Sequence, residues 1–184
     1  DKDANISEML PSLVKGGFYH AGQVCVSVQR VFVHKSIFNE VANGLSELAS
    51  KLIVGDQMDP TTEVGPLILP REVDRVEEWV NEAITAGAKL LCGGKRISNT
   101  CYQPTVLLNP PMDVKVSTSE IFGPVVCIYS YSDRDKAIKI ANSLDAHFQA
   151  AVFTENLDIA LDCVKKLNAT AVMVNDHTAF RVDW

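Results

Sequence analysis

The residues best suited to chemistry lie in Ala21-Gly22-Gln23-Val24-Cys25-Val26-Ser27-Val28-Gln29-Arg30, a small-residue turn that passes through a cysteine into an alternating apolar segment. A thiol attacks carbon only as thiolate, and free cysteine ionises near pH ~8.5, so a nucleophilic Cys25 needs backbone N–H groups that favour the anion. Gly22 and Gln23 suit a turn of that kind. The residues alone leave a second reading open, in which Cys25 is one of five cysteines serving as small buried hydrophobes. Glu120 is the next candidate; with Ser117 it has capping-box spacing, in which the carboxylate only closes a helix start. Gly93-Gly94-Lys95 lacks the further glycine and hydroxyl of a phosphate loop and reads as a turn. His177 far downstream of Gln23 and Cys25 suggests a papain-like thiol hydrolase, but the signature around the cysteine is absent and Asn175-Asp176-His177 has the wrong order.

The elements that must position these residues follow from periodicity. Ile6, Met9, Leu10, Leu13 and Val14 recur at helical spacing between about Asn5 and Tyr19 despite Pro11, so a helix delivers the Cys25 turn. Val28 to His34 alternates and reads as the strand leaving it. Ser36 is placed to cap a helix with Ile37, Val41, Leu45, Leu48 and Leu52 inward. Val54 to Leu69 carries too many glycines and prolines for a regular element and reads as a long ordered loop. A helix from about Pro70 to Ala86 buries Val73, Val76, Val80 and Ile84, and Gly87 ends it. Strands follow at Lys89 to Cys92, Gln103 to Leu108 and Val125 to Tyr131. A helix from about Asp133 to Ser143, a strand from Gln149 to Thr154, another helix and a strand from Ala171 to Asn175 complete the pattern. This order predicts an α/β domain whose largely parallel central sheet is covered by helices on both faces, a three-layer α/β/α arrangement.

With 184 residues, 47% of them hydrophobic and 22% charged, the chain is long enough for one domain with one sizeable core. A net charge of −6 argues against a nucleic-acid or anionic-membrane surface. No apolar run approaches the roughly 18 residues of a membrane span and no signal peptide opens the chain. Five cysteines without a C-x-x-C pair or a Cys/His cluster predict reduced thiols, no metal and a cytoplasmic location.

Taken together, five stretches resemble the catalytic domain of the NAD(P)-dependent aldehyde dehydrogenase superfamily. They are Gly22-Gln23-Val24-Cys25; Asp59-Pro60 with Val64-Gly65-Pro66-Leu67; Glu120-Ile121-Phe122-Gly123-Pro124-Val125; Ala141-Asn142-Ser143 with Ala151-Val152-Phe153-Thr154; and Val174-Asn175. The resemblance implies that Cys25 attacks an aldehyde to give a thiohemiacetal and then a thioester, with NAD or NADP taking the hydride. It also implies that Glu120 hydrogen-bonds the nicotinamide ribose, with Phe122 beside the same ribose and ring. Val24 and Val26 flank the nucleophile, and Asn175 to Phe180 match the loop at the substrate entrance, so Val24, Val26, Asn175 and Phe180 are the expected substrate-binding residues. The implied partner is a small-molecule aldehyde, and the implied parent enzyme is a homodimer or homotetramer.

Where the family commonly has Gly-Leu after its Ala-Asn-Ser segment, this chain has His147-Phe148, which predicts an altered turn. Asp1-Lys2-Asp3-Ala4 looks like the segment shortly after the family's Glu-Leu-Gly-Gly motif, whose glutamate activates the deacylating water, and Trp184 stands just before the place of its Pro-Phe-Gly-Gly loop. The expectation is an excised catalytic domain, without the cofactor-binding domain or the oligomerisation strand and inactive alone. Arg181 hints at an anionic aldehyde, with a surface salt bridge as the alternative. Two further readings stay open: a CoA-acylating aldehyde dehydrogenase, and a non-catalytic interaction domain with an inert Cys25.

Overall fold

The computed structural model describes residues 1–144 and 148–179. Asn5 opens helix α1 (Ile6–Phe18), its side chain accepting the Glu8 N–H at 3.4 Å, and Met9 and Leu13 turn into the core. The helix runs through Pro11, whose missing N–H removes one donor from the ladder. Strand β1 (Arg30–His34) and helix α2 (Phe38–Ser50) follow. The expected Ser36 cap does not form. Its hydroxyl is bonded to His34 Nδ1 at 2.7 Å, and α2 starts at Phe38 without a side-chain cap.

Residues 54–69 form an ordered loop, as their breakers require. Val54 bridges Val64, and the Asp56 and Asp59 carboxylates each accept a backbone N–H two residues on, from Met58 and Thr61, at 2.9 Å. Helix α3 (Pro70–Thr85) starts on a proline, which needs no N–H at that position, and seats Val73, Val76, Val80 and Ala83 as one buried stripe.

Strand β2 (Lys89–Cys92) pairs antiparallel with β3 (Thr105–Leu108), which pairs parallel with β4 (Val125–Tyr131), which pairs parallel with β1. The sheet order is therefore β1-β4-β3-β2. Val125 through Tyr129 are buried without alternation, the pattern of a strand covered on both faces, and this makes the assembly three-layered. Between β3 and β4 lies the one-turn helix α4 (Lys115–Thr118). Helices α5 (Arg134–Ala141) and α6 (Leu157–Lys166) are capped by Asp133 and Asn156 and surround a second, parallel pair, β5 (Gln149–Val152) and β6 (Ala171–Val174). Among the described residues β1 pairs only with β4 and β5 only with β6; both strands line one cavity of about 700 Å³. Among the described residues no helix is long and apolar enough to cross a membrane.

The C-terminal turn of α1 is thinned to Gly16-Gly17, which lets β1 and the chain after β6 come close. A Cβ on Gly16 would stand 2.8 Å from Val28 Cγ2 and 2.9 Å from His177 Cβ, and one on Gly17 would stand 2.6 Å from Val126 Cγ2. Gly16→Ala is therefore expected to lower stability by about 1–3 kcal/mol through overpacking. Gly65→Ala, whose new methyl would meet only Gln57 Cβ at 3.8 Å, should be near neutral. Urea unfolding of both variants checks this, and equal midpoints would contradict it.

Candidate active site

The Cys25 turn is built from backbone conformations that side-chain-bearing residues rarely adopt. His20, Ala21 and Gly22 have φ of 50°, 55° and 71°, so the chain reverses in a left-handed path directly after α1. Gly22 is required there twice over, by its φ and by space, since a Cβ would fall 2.1 Å from the Gly123 carbonyl oxygen. The turn is then held from several sides. The Gln23 amide donates to the Pro66 carbonyl at 3.2 Å and accepts the Ile68 N–H at 2.8 Å, which ties it to the 54–69 loop. The Ser27 hydroxyl donates to the Gly16 and Gly17 carbonyls at the end of α1, both at 3.4 Å. Thr178 donates its hydroxyl to the Val26 carbonyl.

This framework leaves Cys25 exposed with a free thiol, and among the described residues its backbone N–H makes no hydrogen bond. Such a pairing of open sulfur and unpaired N–H suits attack on a carbonyl followed by stabilisation of the resulting oxyanion. The other four thiols are placed differently. Burial pushes Cys127 up to about 12 and also raises Cys92 and Cys163, and Cys101 is buried. Of the five thiols, Cys25 is the exposed one, Cys92 is half-buried, and Cys101, Cys127 and Cys163 are buried.

Glu120 and Phe122 stand on a strap that lines the same cavity as Cys25. Ile121 between them is 1% exposed and anchors the strap in the core. The Gln29 side chain fixes the strap's backbone: Nε2 donates to Ser119 O at 2.7 Å and Val116 O at 3.1 Å, and Oε1 accepts the Ile121 N–H at 2.9 Å. Arg75 adds a bond to the Ile121 carbonyl at 2.7 Å, its guanidinium lying 4.6 Å over the Trp79 ring. The result turns Glu120 and Phe122 outward, with Phe122 42% exposed at φ 47°. Among the described residues the Glu120 carboxylate has no ion pair or hydrogen bond, so the capping-box alternative does not hold. Ser117 lies inside α4, with its hydroxyl donating to Pro111 O at 2.7 Å and bonded to the Tyr129 hydroxyl at 2.8 Å.

Cys25, Val24, Glu120 and Phe122 thus share one cavity. Val26 does not line it; its side chain is 2% exposed and packs inward. Asn175, at φ 56°, uses its amide on a neighbouring strand end, accepting the Thr154 N–H and donating to the Thr154 carbonyl, both at 2.9 Å. Phe180 and Arg181, like His147, lie outside the described residues. Gln29 and Arg75 escaped sequence reading because a glutamine in a strand approach and an arginine on a helix carry no local signal of a distant backbone partner. Among the described residues no group of three His, Cys, Asp or Glu side chains gathers as a metal site.

Comparison with known proteins identifies the family. The sequence model of the aldehyde dehydrogenase family matches residues 1–184. A 3-sulfolactaldehyde dehydrogenase of Priestia megaterium is 42% identical over 182 residues, which are 99% of this chain and 38% of that protein. A lactaldehyde dehydrogenase of Methanococcus aeolicus is 36% identical over 99% of this chain and 39% of its own length. Among solved structures, glyceraldehyde-3-phosphate dehydrogenase from Methanocaldococcus jannaschii complexed with NADP superposes with a TM-score of 0.93 at 36% identity, covering 98% of this chain and 39% of that one. A Mycobacterium tuberculosis aldehyde dehydrogenase complexed with NAD+ gives a TM-score of 0.91 at 30% identity, covering 97% and 38%. The chain thus spans under two fifths of the length of these relatives.

Brief alkylation followed by mass mapping should label Cys25 first, and Cys127 should react only after unfolding. Labelling of Cys127 or Cys163 with Cys25 untouched would remove the basis for treating Cys25 as the reactive thiol.

Proposed function

The chain belongs to the aldehyde dehydrogenase family, and on that premise we propose that it is the nucleophile-bearing part of an NAD(P)-dependent enzyme that oxidises a small aldehyde to a carboxylic acid. The observation that carries this reading is the exposed Cys25 thiol with its unpaired backbone N–H, held in a strained turn that shares a cavity with Glu120 and Phe122. Relatives named for lactaldehyde and 3-sulfolactaldehyde support a small aldehyde as substrate. A homodimeric or homotetrameric parent enzyme working in the cytoplasm belongs to the same reading and rests on the family relationship alone.

In this mechanism the Cys25 thiolate adds to the aldehyde carbon, forming a C–S bond, and the aldehyde oxygen becomes an oxyanion that the Cys25 N–H receives. Loss of hydride from that carbon leaves a thioester on Cys25, and attack by water releases the acid and returns the thiolate. The nicotinamide, when bound, supplies the hydride acceptor. The strap fits the ribose end of such a cofactor, because it presents a carboxylate and an aromatic ring side by side, neither committed to another task. A carboxylate accepts from ribose hydroxyls through charge-assisted bonds, and the Phe122 ring shields the same end from water.

Two outcomes test the reading. In the intact enzyme, Glu120→Gln should weaken cofactor handling by about 1.5–3 kcal/mol, the value of a hydrogen bond to a charged group, and leave the melting temperature unchanged. Unaltered cofactor kinetics would take Glu120 out of the site. The 184-residue chain by itself should form NADH from simple aldehydes at well under a tenth of a typical rate of about 10 s⁻¹, because groups that act as a unit lose nearly everything when some are absent. Turnover within tenfold of that rate would show the chain to be self-sufficient.

A further inference from the structure

His177 follows β6 and lines the same cavity as Cys25 while remaining 7% exposed. Its position is closely set. Its backbone N–H donates to Asp176 Oδ1 at 2.7 Å, and the next residue, Thr178, holds the carbonyl of Val26 beside Cys25. The Tyr19 ring lies 6.2 Å away at an interplanar angle of 60°, and the missing side chain of Gly16 makes room for the His177 Cβ. Tyr19 itself is near the nucleophile: burial, and then the Cys25 thiolate charge, raise its phenol.

Despite this setting, the imidazole makes no hydrogen bond among the described residues, and Nδ1 is enclosed without a partner. Buried polar atoms are nearly always paired, and leaving one unpaired costs free energy, so an orphan ring in the wall of the Cys25 cavity calls for an explanation. Burial keeps the ring neutral; Asp176 opposes that shift and Lys15 adds to it. An enclosed lone pair is tolerated more readily than an enclosed N–H. The neutral ring therefore carries its proton on Nε2, the nitrogen left to meet a ligand.

We propose that His177 is the specificity-determining residue of the Cys25 site, donating an Nε2–H hydrogen bond to an oxygen substituent of the bound aldehyde. This role presupposes the dehydrogenase reading. An unsubstituted alkyl aldehyde would be served better by an apolar side chain, because it leaves the imidazole desolvated and unpaired. An aldehyde with a hydroxyl or carboxylate a few bonds from the carbonyl supplies the missing acceptor. A site built to bond a substrate group discriminates against the analogue that lacks it.

The test uses the intact dehydrogenase carrying this chain and two substrate pairs, glycolaldehyde with acetaldehyde and succinic semialdehyde with butanal. His177→Phe keeps a ring against Tyr19 and removes both nitrogens; His177→Leu makes the same comparison with a smaller side chain if phenylalanine does not fit. Preference for the oxygenated member, as a ratio of kcat/KM values, should fall by about tenfold, the worth of one hydrogen bond, with the oxygenated aldehyde losing more than the plain one. His177→Gln, which retains a donor, should restore part of the preference. The pair whose ratio falls identifies the acceptor as hydroxyl or carboxylate. Unchanged ratios in both pairs, or an equal loss on all four aldehydes, overturn the proposal. Cys25→Ala separates the two levels: activity surviving in that variant refutes the dehydrogenase reading itself, whereas an inactive Cys25→Ala beside unchanged ratios refutes only the role of His177.

Discussion

The close approach of Gly22 to the Gly123–Pro124 peptide is the constraint on which the site depends. Space for a Cβ is lacking at Gly22, where the Gly123 oxygen would be 2.1 Å away, so two loops 101 residues apart in the sequence meet backbone to backbone. Gln29 makes the meeting specific. Seven residues after Gly22, its amide satisfies Ser119, Val116 and Ile121 together, so the start of β1 and the strap carrying Glu120 move as one piece. Since β1 and β4 are also paired in register, Arg30 opposite Cys127, the relation of Cys25 to Glu120 and Phe122 is fixed by sheet hydrogen bonds on one side and by a side-chain amide on the other. A shift of about 1 Å in such a relation is enough to disable a reaction that depends on orientation.

Much of this was legible in the chain because it is local. The stripe Val73, Val76 and Val80, the unbroken apolar run of Val125 to Tyr129 and the breakers of residues 54–69 each report a structure that neighbouring residues decide. What was not legible is which hydrogen-bond partner a side chain takes. Ser36 has the right identity and position for a cap, yet His34 Nδ1 claims its hydroxyl; Ser117 and Glu120 have capping spacing, yet Tyr129, twelve residues on, claims Ser117. Short polar side chains choose among competing partners, some local like His34 and some brought near by folding like Tyr129, and a capping rule weighs neither. Gln29 and Arg75, which bond backbone groups tens of residues away, are invisible for the same reason.

The architecture shows a related division. The strand-helix order predicted a largely parallel sheet, and every pairing except β2 with β3 is parallel. Strand order cannot be read from periodicity, and among the described residues β5 and β6 stand apart from the other four. The cavity lined by both β1 and β5 therefore lies between two sheets and is shared by Cys25, Glu120 and Phe122. Its walls include β1, β5 and the facing helix α5, whose enclosed Arg30 Nη1, Gln149 Oε1 and Arg134 Nε lack hydrogen-bond partners among the described residues.

Backbone strain gathers near Cys25, Glu120 and His177, with Asn109 an exception. His20, Ala21, Phe122 and Asn175 all have positive φ without being glycine, and they flank Cys25, Glu120 and His177. Conformations of this kind cost of order 1–3 kcal/mol each and persist only where surrounding contacts over-determine them. Here those contacts are identifiable: Gln23 and Ser27 around His20 and Ala21, Gln29 and Arg75 around Phe122, and the doubly bonded Thr154 around Asn175. The Cys25 N–H follows the left-handed run of His20, Ala21 and Gly22, and among the described residues it makes no intramolecular hydrogen bond. A donor left open in this way suits an oxyanion, the role proposed for it above.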